Sequence, residues 1–162
     1  MIVIGIDPGL TGALALVKDG ELVEVHDLPT LEFSAGKVKR KIDAVGLKNL
    51  LRDVSGRYAS EGKPAVFLER VWSMTGQGVA SVFSLGYSAG LIEGVILAAG
   101  YQLYTISPSE WSKTMRAGSE KSFSVAAATA RFPDMAHHWS KKKDHNRCDA
   151  ALIATFGYLE LA

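Results

Sequence analysis

The sequence predicts an α/β fold built on a mixed five-stranded sheet. Short apolar or alternating segments are typical of strands, and longer segments with apolar residues at helical spacing separate and follow the last of them. The five predicted strands are residues 2–6, 12–17, 21–28, 65–68 and 101–106. The resulting order is three strands, helix, strand, helix, strand and then helices, which predicts helices against a mixed sheet.

The first three strands are predicted to form an antiparallel meander. Residues 2–6 are a continuous apolar run, and residues 12–17 form a second one. Asp19-Gly20 is a strong hairpin turn signal, after which residues 21–28 alternate between polar and apolar.

Helical segments account for most of the remaining chain. Asp43 can cap a helix that ends near Tyr58, and the next strand is expected to run parallel to the first because a crossover helix joins them. A second helix, residues 79–99, combines apolar residues with several glycines and is expected to pack closely on a sheet or a partner. Three further helices are predicted. They begin at the capping box of Ser107 to Glu110 and at residues 122 and 147.

Composition sets limits on the class of protein. A chain of 162 residues with 48% hydrophobic residues is expected to form one domain over residues 1–162. No membrane partner is predicted, because the longest apolar stretch, residues 91–99, is interrupted by Glu93 and is too short to span a bilayer. Cys148 is the single cysteine and no signal peptide is evident, so a cytoplasmic location is expected.

Charge alone does not indicate a nucleic-acid partner, because the net charge is only +1. Two basic clusters could be solvated loop charges or phosphate contacts, and the sequence leaves both interpretations open. These clusters are Lys37, Lys39, Arg40 and Lys41, and Lys141, Lys142, Lys143 and Arg147.

Two acidic residues follow buried strands. Asp7 ends the first strand, where it could instead form a simple turn, and Glu69 ends the fourth, where it could be the first solvated residue beyond the core. If these two strands are parallel, both carboxylates leave the sheet at the same end. Together they could hold a hard cation.

A third acid lies on the last helix. At helical spacing His145, Asp149, Leu152 and Phe156 fall on one face, so Asp149 shares a stripe with core residues. A buried acid costs several kcal/mol unless it has a partner charge or a metal. Three such carboxylates make an arrangement that binds two Mg²⁺ ions about 4 Å apart and hydrolyses phosphodiesters.

These motifs together resemble the RuvC family of Holliday-junction resolvases, particularly its phage and prophage branch. The similar segments are Ile-Gly-Ile-Asp7-Pro-Gly, Glu69-Arg-Val, Gly118-Ser-Glu-Lys121-Ser and Asp149-Ala-Ala-Leu-Ile-Ala. The resemblance implies a ribonuclease H-like fold, a homodimer, and paired nicks in branched DNA, namely a four-way junction. It also implies two Mg²⁺ ions in each site, with Mn²⁺ as a substitute, in a bacterial or phage-infected cell. The helix of residues 79–99 is the expected dimer interface.

The same resemblance assigns residues by position. Asp7, Glu69 and Asp149 would be the metal ligands and catalytic acids. The family commonly has an acid or a histidine where this chain has Asn146, so the fourth ligand is open. His145 and Asp144 are the available substitutes, and His145 ranks first because a four-residue step brings it nearer the face of Asp149.

Expected DNA contacts come from two regions. Lys113 and Lys121 resemble phosphate-contacting lysines of the family. Trp72, Met74 and Gln77 lie in the loop that enters the junction in relatives, although they could simply cover the core.

Three alternatives remain beside a junction endonuclease. A ribonuclease H-like enzyme could act on another nucleic acid, such as an RNA to be processed. An actin- or Hsp70-like phosphate-binding domain also opens with a strand and Asp7-Pro-Gly-Leu-Thr11, but that class needs a second such domain. A catalytically inactive junction-binding module is disfavoured by the presence of all three acids.

Overall fold

A computed structural model describes residues 1–32, 40–72, 76–118 and 121–162, without the side chains of Lys121 and Lys142. The strands are β1 (Ile2–Asp7), β2 (Ala13–Lys18), β3 (Glu21–Asp27), β4 (Thr30–Glu32), β5 (Arg40–Ile42), β6 (Ala65–Glu69) and β7 (Leu103–Ile106). The helices are α1 (Ala44–Gly56), α2 (Val79–Ala98), α3 (Pro108–Thr114), α4 (Lys121–Arg131) and α5 (His145–Leu161). Short 3-10 turns occupy Ala59–Glu61, Pro133–Trp139 and Lys142–Asp144.

The main sheet has five strands in the order β3-β2-β1-β6-β7. The first three strands pair antiparallel, whereas β6 pairs parallel with β1 and with β7. This confirms the predicted mixed sheet of three antiparallel and two parallel strands. A small hairpin of β4 and β5 was not predicted. Each of its strands has only three residues, too few for a clear alternating pattern.

The register of the two central strands positions the candidate site. Ile6 of β1 pairs with Leu68 of β6, so Asp7 and Glu69 are the next residues along each strand. Both therefore lie at the carboxyl edge of the sheet. The expectation that the two acids leave the sheet at the same end is confirmed.

Helices cover both faces of the sheet. On one face, α1 and α2 bury Leu47, Leu51, Ile92 and Ile96 against the sheet. On the other, α3, α4 and α5 enclose a second cluster that includes Trp111, Met115, Ala128 and Leu152. The two clusters make the expected layered arrangement of an α/β fold.

The last helix is the central element of the second face. Its residues from Ala150 to Gly157 are all buried, and it crosses β1 at Gly5, where Ala150 and Ala154 meet the strand. A side chain at residue 5 would separate the two elements. The glycine therefore lets α5 lie directly on the central strand, which brings Asp149 to the carboxyl edge of the sheet.

Helix α2 differs from the other long helix because little of it is buried. Only Ser88, Ile92 and Ile96 are buried, while Val79 and Phe83 are among its exposed apolar side chains. Of the described helices, it is the one with a length and composition that would also suffice to cross a membrane. Doing so would require it to leave the sheet on which Ile92 and Ile96 pack.

Candidate active site

Glu69 and Asp149 are brought together at the carboxyl edge of the sheet. Burial raises the pKa of the Glu69 carboxyl to about 7, and the negative charge of Asp149 acts in the same direction. The indole of Trp111 acts in the opposite direction as a hydrogen-bond donor toward Glu69. The Trp111 Nε1 atom is buried and reaches no acceptor at full hydrogen-bond geometry among the described residues, so this contact is weak. The pair would be stabilised by a cation.

Asp7 ends the strand next to Glu69, and the loop after it is tightly folded. The Gly12 N–H donates to the Gly9 carbonyl at 3.1 Å, and the Leu28 N–H donates to the Gly12 carbonyl at 2.9 Å. A Cβ at residue 12 would lie 2.2 Å from the carbonyl oxygen of Asp7. Glycine at this position therefore allows the chain to turn back directly behind Asp7.

Asn146 fixes the same loop from the other side. Its Nδ2 donates to the carbonyl oxygen of Thr11 at 2.6 Å and to the Thr11 hydroxyl at 2.9 Å. At the position where the resemblance would place a fourth ligand, this chain therefore has an amide that ties the start of α5 to the loop following Asp7. The sequence did not indicate this contact, since the two residues are far apart along the chain.

The two substitutes for the fourth ligand lie at the start of α5. Asp144 immediately precedes the helix, and the half-buried His145 is its first residue. Helix α5 begins two residues earlier than predicted, so His145 lies one helical turn before Asp149. Their roles as ligands stay predictions.

Arg147 forms a structural ion pair with Asp27. Its guanidinium donates two hydrogen bonds of 2.7 Å to Asp27 at the end of β3, and a third of 2.7 Å to the His138 carbonyl. Arg147 was expected to be either a solvated charge or a phosphate contact. It instead links β3 to α5. In the other basic cluster, Arg40 donates to the Leu10 carbonyl, while Lys37 and Lys39 lie outside the described residues.

The donor set fits a divalent cation in chemistry. Carboxylate oxygens are the ligands that Mg²⁺ prefers, and two of the three acids lie near enough to influence each other's charge. Within residues 1–32, 40–72, 76–118 and 121–162, however, no three histidine, cysteine, aspartate or glutamate side chains lie close enough together to hold a metal ion. The assignment of Asp7, Glu69 and Asp149 as ligands stays a prediction.

Of the predicted DNA-contacting residues, Trp72 and Gln77 follow β6, and Lys113 lies in α3. Trp72 is exposed, and the Arg70 guanidinium lies 5.5 Å from the centre of its ring. Gln77 and Lys113 are also exposed. Met74 and the side chain of Lys121 lie outside the described part of the chain.

Sequence reasoning missed Trp111. It lies in α3 after the capping box of Ser107 and Glu110, and its side chain is buried beside Glu69. The helical spacing of Trp111 and Met115, both buried, could have identified an inward face, but nothing in the sequence connects that face to Glu69.

The strand order and the helices on both faces define a ribonuclease H-like α/β fold. No family model and no curated protein matches the chain by sequence. Among solved structures it is similar to RuvC of Thermus thermophilus, with a TM-score of 0.54 and 17% identity over 99% of this chain and 95% of that one. The same RuvC in complex with a Holliday junction substrate gives a TM-score of 0.57 at 17% identity, over 100% and 96%.

A third similar structure is the yeast mitochondrial Holliday junction resolvase Ydc2. Its TM-score is 0.51 at 15% identity, over 95% of this chain and 76% of that one. The chain thus has a RuvC-type fold, as the resemblance in its motifs implied.

Proposed function

We propose that this protein is a metal-dependent endonuclease that cuts branched DNA, with a four-way junction as its substrate. The observation that carries the proposal is the meeting of Glu69 and Asp149, from distant parts of the chain, beside the strand that ends in Asp7. Placing two acids together in a partly buried setting is unfavourable without a cation. A functional site accounts for their juxtaposition better than a structural role does.

Asp7, Glu69 and Asp149 would hold the metal, with His145 or Asp144 as a further ligand. Bound Mg²⁺ would supply an activated water and stabilise the leaving oxygen of a phosphodiester. The chain's own contribution is to fix these carboxylates. Two strand ends hold Asp7 and Glu69, while the Asn146 contact to Thr11 holds the loop behind Asp7.

The similar structures support a junction as the substrate. One is a RuvC in complex with a Holliday junction substrate, and another is a Holliday junction resolvase by name. The proposed DNA contacts are Trp72 and Gln77, between β6 and α2, Lys113 in α3 and Lys121 at the start of α4.

We further propose that the active form is a homodimer joined through α2. Paired nicks need two identical sites, which a two-fold axis supplies. The exposed side of α2 carries Val79, Phe83 and Leu97. Cβ atoms built on its three glycines, Gly86, Gly90 and Gly94, would meet open space, so a second copy could approach the helix closely. Ser88 of the same helix is buried and does not contribute to this exposed side.

One assay tests the proposed activity. Labelled four-way junction, flap, duplex and RNA–DNA hybrid are incubated with the protein in Mg²⁺, and the cuts are mapped. We expect symmetric nicks in the junction and little cutting of the duplex. Cutting confined to the hybrid would instead support the alternative of a ribonuclease H-like enzyme acting on RNA.

A further inference from the structure

A cavity of about 610 Å³ lies between α3 and α4, outside the carboxylate site. It is lined by Ser109, Ser112, Lys113, Arg116, Gly118 and Phe123. Two cations and two hydroxyls therefore surround an aromatic ring. None of these lining residues carries a carboxylate, so the cavity is complementary to an anion that also has an apolar face.

Phe123 is exposed and lies against Gly118. The residue is 52% exposed, although it has one of the larger apolar side chains. A Cβ at Gly118 would lie 2.7 Å from Cδ2 of this ring, and Gly118 has a φ of +62°. The glycine therefore lets the turn before α4 pack against the ring. An aromatic face is thus exposed beside the cations of the cavity.

Arg116 occupies a backbone position that favours glycine. The Ala117 N–H donates to the Ser112 carbonyl at 2.8 Å and the Arg116 N–H to the Lys113 carbonyl at 3.2 Å, which is the pattern that closes a helix through a left-handed residue. Arg116 is that residue, with a φ of +55°. An arginine at a strained backbone position that favours glycine indicates a functional role for its side chain.

Helix α3 lies between the cavity and the carboxylate site. Trp111 of this helix contacts Glu69, while Lys113, two residues later, lines the cavity. Two residues correspond to about 3 Å along a helix axis and point to opposite sides of it. The cavity and Glu69 therefore lie on opposite sides of α3, which is about 10 Å across with its side chains, and a DNA strand that passes over this helix could contact both.

We propose that this cavity binds one unstacked nucleotide of the DNA substrate, with its phosphate on Lys113 and Arg116 and its base stacked on Phe123. The inference rests on the proposed nuclease function and adds a subsite to it. The volume falls within the range of small-ligand sites. Stacking on an aromatic ring accepts any base, and a branch point supplies bases that are not held in a duplex.

The first test compares binding of labelled single-stranded DNA, four-way junction and blunt duplex. Phe123→Ala should weaken binding of the single strand and the junction by about 10-fold, the effect typical of losing one stacked base, and should leave the duplex unchanged. Phe123→Trp should retain wild-type binding. Phe123→Leu, which keeps an apolar contact with Gly118, should behave like the alanine variant. Equal binding by wild type and Phe123→Ala, or equal weakening on all three DNAs, would overturn the proposal.

The second test distinguishes the effect of Arg116 on stability from its effect on DNA binding. Arg116→Gly relieves the left-handed backbone, so its thermal unfolding midpoint should rise by about 2 °C or more. Its binding of single-stranded DNA should nevertheless weaken, with a salt dependence lower by about one unit of slope. Lys48→Ala removes an exposed cation from α1 on the opposite face of the sheet and should change neither property. Unchanged binding and salt dependence in Arg116→Gly would contradict its proposed phosphate contact.

The nuclease function and the nucleotide site can be refuted independently of each other. If the wild type binds single strands through Phe123 but cuts no branched DNA, the nuclease function is wrong and the nucleotide site remains. If it nicks junctions while Phe123→Ala binds and cuts as the wild type does, only the nucleotide site is wrong.

Discussion

Gly5 of β1 and Ala154 of α5 meet backbone to backbone: a Cβ built on Gly5 would lie 2.2 Å from the Ala154 nitrogen and 2.4 Å from the Ala150 carbonyl oxygen. No side chain fits between them. Because Asp149 directly precedes Ala150, this contact also sets how far the third acid lies from the end of β1.

Gly5→Ala should therefore impair both the fold and the site. Moving α5 away from the central strand should lower the free energy of unfolding by about 3 kcal/mol, as for an overpacked core. Urea unfolding followed by circular dichroism measures the loss. Gly56→Ala is the matched control, because a Cβ there meets no atom within 4 Å. If Gly5→Ala proved as stable as Gly56→Ala, the close packing described for α5 would be wrong.

Neutralising any one of the three acids should stop cutting while leaving DNA binding intact. Asp7→Asn, Glu69→Gln and Asp149→Asn should each lower the nicking rate at least about 100-fold, because a metal supplies several kcal/mol to this chemistry. Gel shift and nicking on the same junction measure the two properties. Binding should persist, since phosphate contacts supply most of the affinity.

The matched control for these variants is Asp53→Asn. Asp53 is exposed on α1, on the other face of the sheet, and pairs with Arg52. This variant should cut normally. An acid whose variant cuts as fast as Asp53→Asn is not a metal ligand.

A glutamate on the exposed side of α2 should dissociate the proposed dimer without unfolding the chain. Phe83 is 73% exposed, so Phe83→Glu loses little packing within one subunit. We expect this variant to sediment as a monomer that no longer makes paired nicks. Val45→Glu, at a 68% exposed position of α1, should remain dimeric. A wild type that sediments as a monomer, both free and bound to a junction, would remove the basis for paired nicks.

The Glu24 carboxylate should contribute a pH-dependent part of the stability. Burial raises its pKa, but hydrogen bonds with Arg57 and His26, and the attraction of their charges, outweigh burial and hold the pKa below its usual range. A carboxyl whose pKa is lower in the folded state stabilises the fold above its unfolded pKa of 4.5 and loses that contribution as the pH falls through the folded value.

Glu24→Gln should accordingly lower the free energy of unfolding by about 1 kcal/mol at neutral pH, and this difference should vanish in acid. Urea unfolding of the wild type and of Glu24→Gln, from neutral to acid pH, measures this difference in the free energy of unfolding. Glu21→Gln, an exposed residue of the same strand, serves as the control and should give a curve parallel to that of the wild type. A Glu24→Gln difference that is constant with pH would mean that its charge is not the cause.

The sheet was predictable because its strands carry strong local signals. The apolar run that ends at Asp7 and the Asp19-Gly20 turn define the meander, and the helix between β5 and β6 favours a strand parallel to β1. The β4 and β5 hairpin lacked such a signal. Arg40 holds it through hydrogen bonds to Thr30 and to the Leu10 carbonyl, which are contacts between distant residues.

The candidate site was predictable only in part. The carboxyl ends of parallel strands place Asp7 beside Glu69, and helical spacing places Asp149 on an inward face. The sequence could not indicate that Asn146 donates to Thr11 or that Trp111 faces Glu69, because each contact depends on how α5 and α3 pack. The proposed role of Arg116 as a phosphate contact likewise depends on its backbone conformation, which the sequence does not show.

The packing of α5 on β1 also determines when the candidate site can form during synthesis. The two elements lie far apart in the sequence, and contacts between such residues form late and slow folding. A nascent chain whose last helix is still inside the ribosome leaves one face of its central strand uncovered and lacks Asp149. The candidate site is therefore complete only once α5 has been synthesised and packed, and the uncovered strand makes aggregation most favoured before that stage.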